Sequence, residues 1–145
     1  MTDALGAARE RRAGLRSALG EVERSLASPA AGREEAWVKT LHADLQRLSE
    51  SLDLHIQASE GPGGLLEEIL HDEPRLAHKV DRARKEHQEL RYRTDRALDA
   101  VSDPAADIRG AREQVVEVLG GIVRHRHLGA DLVYEAFSVD IEAGD

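Results

Sequence analysis

The chain contains no cysteine. Disulfides, thiolate nucleophiles and thiolate metal sites are therefore excluded, and any metal would have to be held by nitrogen and oxygen donors. Aromatic residues are also scarce, at 3 % (one Trp, two Tyr, one Phe), and only four prolines occur in 145 residues. This is a poor inventory for a sandwich or barrel, whose strands draw on aromatic and β-branched side chains and whose turns draw on proline. No apolar run approaches the length needed to cross a bilayer. The opening Met1-Thr2-Asp3-Ala4 lacks a basic segment followed by an apolar stretch, so the expectation is a cytoplasmic protein without a membrane partner. Basic charge is in deficit, with a formal net charge of −8, which speaks against nucleic acid as a partner. The segment from Arg75 to Arg96 carries eight Lys/Arg against four Asp/Glu and reads as a solvated helix face.

What is present is charge of both signs (33 %) and aliphatic residues within an apolar share of 41 %, the profile of a helical bundle. The length suits one domain, 1–145, with a core large enough to fold alone. Ser28-Pro29 ends a first periodic segment, Gly61-Pro62-Gly63-Gly64 a second, and Ser102-Asp103-Pro104 separates a third from a fourth. Asp72, followed by Glu73 and Pro74, is expected to cap the third long helix, with Leu65 to Leu70 as a short helical shoulder before it. Short connections make neighbouring helices antiparallel. The expected fold is all-α, an antiparallel up-down-up-down four-helix bundle, with residues 138–145 as an irregular tail.

Steps of three and four trace the face that each helix turns to the core. The stripes run Leu5, Ala8, Arg12, Leu15, Leu19, Val22, Leu26; then Leu41, Leu45, Leu48, Leu52, His55, Ser59. The third and fourth run Leu76, Val80, Ala83, His87, Leu90, Ala97, and Val118, Ile122, His125, Gly129, Leu132, Ala136. Each is interrupted by a cationic or imidazole side chain: Arg12, His55, His87 and His125. Buried groups of this kind are costly unless paired or liganded, so four interruptions at similar depth imply a shared polar chamber. A single core histidine is more often hydrogen-bonded than liganded, but three together make a metal or small-ligand pocket a serious alternative.

His42, His71, His78 and His127 fall on polar faces or at a helix end and are expected at the surface; His127 and Asp131, four apart, are the pair among them able to share an ion. The Glu-x-x-His pattern of ferritin-like di-iron sites is missing, because Leu52, Arg84 and Ile122 stand three residues before the three core histidines. No glycine-rich nucleophile turn accompanies a Ser-His-Asp set, and the glycine pairs at 63–64 and 120–121 lack a phosphate-loop context. No catalytic residue is singled out, and a binding protein is preferred to an enzyme.

Three elements, taken in order, resemble the hemerythrin-like, or HHE cation-binding, family. They are Leu54-His55-Ile56-Gln57-Ala58-Ser59-Glu60 before a Gly-Gly turn, Glu86-His87-Gln88-Glu89-Leu90, and His125 with Asp131-Leu132-Val133-Tyr134-Glu135-Ala136-Phe137 leading to Asp140. The resemblance covers nearly the whole chain. It implies a bundle whose interior histidines and carboxylates hold two non-haem irons, used by relatives to bind or sense oxygen, nitric oxide or peroxide. Carried onto this sequence, the metal residues are His55, His87, His125 and Glu60.

The chain departs from the family at the first-helix histidine, where Arg12 stands, and at the acids four residues beyond the second- and fourth-helix histidines, replaced by Ser59 and Gly129. A guanidinium does not ligate a cation and repels one, so Arg12 is a pocket residue and not a ligand. Three arrangements stay open: one metal on three histidines, a metal-free bundle in which Arg12 pairs with Glu60 or another acid, and a pocket for a small anion. Function divides accordingly, between a hemerythrin-like metal protein taking a diatomic or anionic ligand and a metal-free interaction or regulatory module contacting a protein partner or a second copy of itself.

Overall fold

A computed structural model describes residues 3–138 of the chain. Among them are four long helices, a short one and a 3-10 turn, with no strand: α1 (Asp3–Ala27), α2 (Glu34–Glu60), α3 (Leu65–Asp72), the turn Pro74–Leu76, α4 (Ala77–Ala100) and α5 (Ile108–Phe137). The fold is an all-α bundle. None of these helices is long and apolar enough to cross a membrane. The expected irregular tail falls outside the described residues from 139 onward, as does Asp140; Ser138 ends α5 in a left-handed conformation.

The punctuation acts largely as expected. α1 stops before Ser28-Pro29 and α2 stops at Glu60, with Gly61 to Gly64 linking it to α3. Gly63 takes φ +72°, and a Cβ on Gly64 would lie 2.8–2.9 Å from the carbonyl oxygens of Gly61, Ser59 and Ala58, so no larger residue fits there. One boundary differs. Asp72 does not cap the third long helix but is the last residue of α3, and Pro74 opens the 3-10 turn that leads into α4. The helical run from Leu65 continues through Asp72, and proline is placed where a 3-10 turn needs no N–H. The aspartate that does cap is Asp107, whose carboxylate accepts from the Gly110 N–H at 3.0 Å and starts α5.

α1 packs most extensively on α2 and α4 on α5, while contacts between α2 and α4 join the two pairs. The apolar interior falls into two clusters. The larger is built by Leu15, Leu19 and Val22 of α1, Trp37 through Leu52 of α2, Leu90 and Ala97 of α4, and Val115, Val118 and Ile122 of α5. The smaller joins Leu5 and Ala8 of α1, Leu65, Leu66 and Ile69 of α3, Leu76 and Val80, and Leu132 and Val133 of α5. α2 contributes nothing to the second cluster, because it ends at Glu60 and α3 takes its place. Each buried leucine contributes about 1.5–3 kcal/mol, so both clusters hold the helices in register. Trp37 closes the far end of the larger one, its indole N–H donating to the Ser28 carbonyl at 3.1 Å.

Candidate metal centre

The seam between the two clusters crosses all four long helices, at the residues that interrupt the stripes. Along α1 it falls at Arg12, between Ala8 and Leu15; on α2 at His55, after Leu52; on α4 at His87, between Val80 and Leu90; and on α5 at His125, between Ile122 and Leu132. All four side chains are buried. One ring nitrogen from each histidine lies within 4.8 Å of those of the other two. Ring centroids are 5.2 Å apart for His55 and His87, 5.4 Å for His55 and His125, and 4.5 Å for His87 and His125.

Two of the rings are held from behind by carboxylates. His87 Nδ1 bonds Glu60 Oε2, and His125 Nδ1 bonds Glu86 Oε1 at 2.7 Å. A neutral ring serves an ionised carboxylate only as a donor, so both rings carry their proton on Nδ1 and keep a bare lone pair on Nε2. That is the orientation in which a metal-ligating histidine is usually fixed. His55 Nε2 stands 3.3 Å from His125 Nε2. Two nitrogens bound to one tetrahedral ion at about 2.0–2.1 Å would be separated by about 3.3 Å.

Without an ion this arrangement has an electrostatic fault. If His55 donates to His125 from Nε2, its Nδ1 is a bare acceptor; if the proton is on Nδ1, two lone pairs face each other across 3.3 Å. In either case His55 Nδ1 is buried and has no partner. A buried polar atom left in that state costs about 1–3 kcal/mol. A cation between the rings would replace the lone-pair conflict with coordinate bonds. The residues present thus fit a metal of intermediate softness on three imidazoles.

Titration is consistent with donor nitrogens. Burial, then the charges of His125 and Arg12, pushes His55 down to about 3. Burial and the two neighbouring rings push His87 down to about 2. His125 is lowered by burial as well, although Glu86 pulls the other way. All three are neutral at physiological pH, with lone pairs free to bind. Burial raises Glu60, opposed by the nearby charge of Arg84.

Arg12 is 4 % exposed and lines the same cavity as the three rings. Its Nη2 donates to the Arg126 carbonyl on α5. The space for it comes from Gly129, since a Cβ there would stand 3.3 Å from Arg12 Nη1. The cavity measures about 40 Å³ and is walled by Ser59, Gly129 and the apolar side chains of α3 and α5 in addition to these four residues. That volume suits an ion with one or two small ligands, not an organic substrate. A wider groove of about 550 Å³, between α4 and α5, shares Ala83, His125, Gly129 and Leu132 with it.

Comparison with what is known adds no relative. No family model, curated protein or solved structure matches this chain. The geometry stands alone. It brings together Arg12, His55, His87 and His125; Glu60 holds a ring nitrogen of His87 and is not one of the three converging donors. Of the acids considered for Arg12, Glu60 is engaged by His87. His71, His78 and His127 are exposed and His42 is half-buried, and the His127–Asp131 alternative gathers no third ligand among the described residues. Glu86 is the residue the sequence analysis missed as a site residue. It stands beside His87 and shares a helix face with Ala83 and Leu90, a position at the edge of the stripe that gave a signal for half-burial.

Proposed function

We propose that this chain is a hemerythrin-like metal-binding protein of the cytoplasm. In this reading an antiparallel, up-down-up-down bundle holds one ion, non-haem iron, on His55, His87 and His125, and leaves a coordination position for oxygen, nitric oxide, peroxide or a similarly small ligand. The observation that carries it is the convergence of three buried, neutral ring nitrogens from three helices, two of them backed by carboxylates. The short connections between the long helices support the antiparallel arrangement. Iron bound there would supply a Lewis-acidic, redox-active centre with an open position. The chain's own part is to fix the rings through Glu60 and Glu86, to exclude bulk water with Leu65, Leu66 and Ile69, and to limit the ligand to the size of the cavity. One ion fits better than two, because among the described residues that line the cavity no carboxylate is present to bridge a pair.

The test is iron(II) added anaerobically to the purified protein, followed by desalting, elemental analysis and a near-ultraviolet and visible spectrum after exposure to air. Stoichiometric retention by the wild type and none by the His87→Ala/His125→Ala double variant is expected. Wild type that retains no iron or zinc above background removes the reading.

A second reading has one observation in its favour, the Arg12 guanidinium in the chamber, which opposes a cation. In it the bundle is metal-free and serves as an interaction or regulatory module through its acidic surface. It expects Arg12→His to create a metal site that the wild type lacks. Tight binding by the wild type, unimproved by Arg12→His, would remove it.

A further inference from the structure

The groove of about 550 Å³ between α4 and α5 is too wide for a diatomic and has the size of a site for a small organic molecule. One wall is α4, where Lys79, Arg82, Ala83 and Glu86 recur at steps of three and four; the other is α5, where Leu128, Asp131, Leu132 and Glu135 do the same. Ala83, Leu128 and Leu132 form an aliphatic strip, in which Leu128 is a large apolar side chain left 36 % exposed. The charges along the walls do not cancel. Lys79 is taken by Glu135, through contacts of 2.6 and 2.7 Å, and Arg82 Nε lies 3.7 Å from Glu86. That leaves Asp131, an exposed carboxylate that makes no ion pair among the described residues. Tyr134, three residues further along α5, lines the same groove and is 61 % exposed.

We propose that this groove binds a small organic ammonium ion with an apolar body, an arylalkylamine being the simplest member of the class. The ammonium meets Asp131 and the ring of Tyr134, and the hydrocarbon lies along Ala83, Leu128 and Leu132. An anion would face a surplus carboxylate and find both cations of the groove engaged. A neutral molecule of the same shape gains the aliphatic strip but nothing from the charge. An ammonium gains a charge-assisted hydrogen bond and attraction to an aromatic face as well. Because Asp131 is exposed, solvent screens its charge; the hydrocarbon supplies most of the affinity and Asp131 the discrimination. This inference goes beyond the metal reading and does not depend on it, since neither Asp131 nor Tyr134 belongs to the three converging ring nitrogens.

The experiment titrates the isotope-labelled, metal-free full chain at neutral pH with phenethylamine and follows the backbone amides by NMR. Phenethyl alcohol and 3-phenylpropionate serve as the neutral and anionic counterparts. Saturable shifts are expected along the two walls, in residues 79–86 and 128–135, with the ammonium bound about three- to tenfold more tightly than the alcohol and the carboxylate bound most weakly. The advantage of the ammonium over the alcohol should largely vanish in about 1 M salt. Asp131→Asn should bring the ammonium down to the level of the alcohol while leaving the alcohol unchanged, and Leu128→Gln should weaken both. Both positions are exposed, and a dispersed amide spectrum of each variant verifies that it folds. Absence of saturable shifts, shifts centred outside the two walls, a carboxylate bound as tightly as the ammonium, or an ammonium affinity indifferent to Asp131→Asn each overturns the proposal. Failure of the protein to take up iron leaves it standing, and failure of the ammonium to bind leaves the metal reading standing.

Discussion

The two ends of this bundle are built from similar aliphatic side chains and differ in what closes them. The larger cluster is sealed by Trp37 and by long helices on every side, and its polar intrusions satisfy themselves locally: Thr94 Oγ1 donates to the Leu90 carbonyl at 2.7 Å, and buried Asp44 is held by Ser25 and Arg47. At the seam with the smaller cluster, four polar side chains point at one another and leave a ring nitrogen without a partner. The lesson is that burial by itself does not mark a site. Unsatisfied convergence does, because folding alone gives no reason to retain it.

The largest effect that separates the two regions is expected from Leu48→Ala, at the centre of the sealed cluster. Loss of about 2–5 kcal/mol in denaturant unfolding should leave metal stoichiometry unchanged in the protein that remains folded. Conversely, acid should act on the seam. His55 and His87 are held neutral far below the ordinary histidine value, so the unfolded chain takes up protons that the folded one refuses. Stability of the metal-free protein is then full above about pH 6.5 and falls as the pH drops below it, by roughly 2 kcal/mol per group at pH 5. Thermal unfolding at pH 7.5 and pH 5 measures the loss, and His55→Leu should shrink it. If that variant is as acid-sensitive as the wild type, the sensitivity lies elsewhere.

A smaller effect is expected from Glu86→Gln, which keeps the shape but weakens the grip on His125 Nδ1. Metal affinity should drop by about 10–100-fold in a competition titration with a chelator. The smallest equilibrium effect belongs to Ala83→Leu, which narrows the place where the wide groove meets the cavity. Stopped-flow mixing should show slower ligand binding and release with little change in affinity, and unchanged rates would mean that ligands arrive by another path.

Much of this was legible before any coordinates. The second stripe, Leu41 through Ser59, is buried at every position named, and periodicity puts Arg12, His55, His87 and His125 on core-facing stripes, where all four are buried. Helical spacing fixes which residues share a face, and the apolar stripe fixes which face is buried. What escaped depends on relations between helices. Glu86 reaches His125 only because α4 and α5 pack at a particular rotation, and no single-helix pattern encodes that. Asp72 misled because Asp-Glu-Pro has the composition of a helix start, whereas the alternative, a helix end followed by a 3-10 turn, differs from it only in how far α3 continues. Asp107 had the same chemistry and did cap its helix. Gly129, too, takes on meaning only with Arg12 beside it.

The glycine turn after α2 has a mechanical corollary. Because Gly64 is pressed against the carbonyls of Ala58, Ser59 and Gly61, the cover supplied by α3 is geared to the same helical turn that bears Ser59 and Glu60. A ring of α4 drawn inward would pull on Glu60 through its hydrogen bond, on the turn from which the roof over the chamber departs.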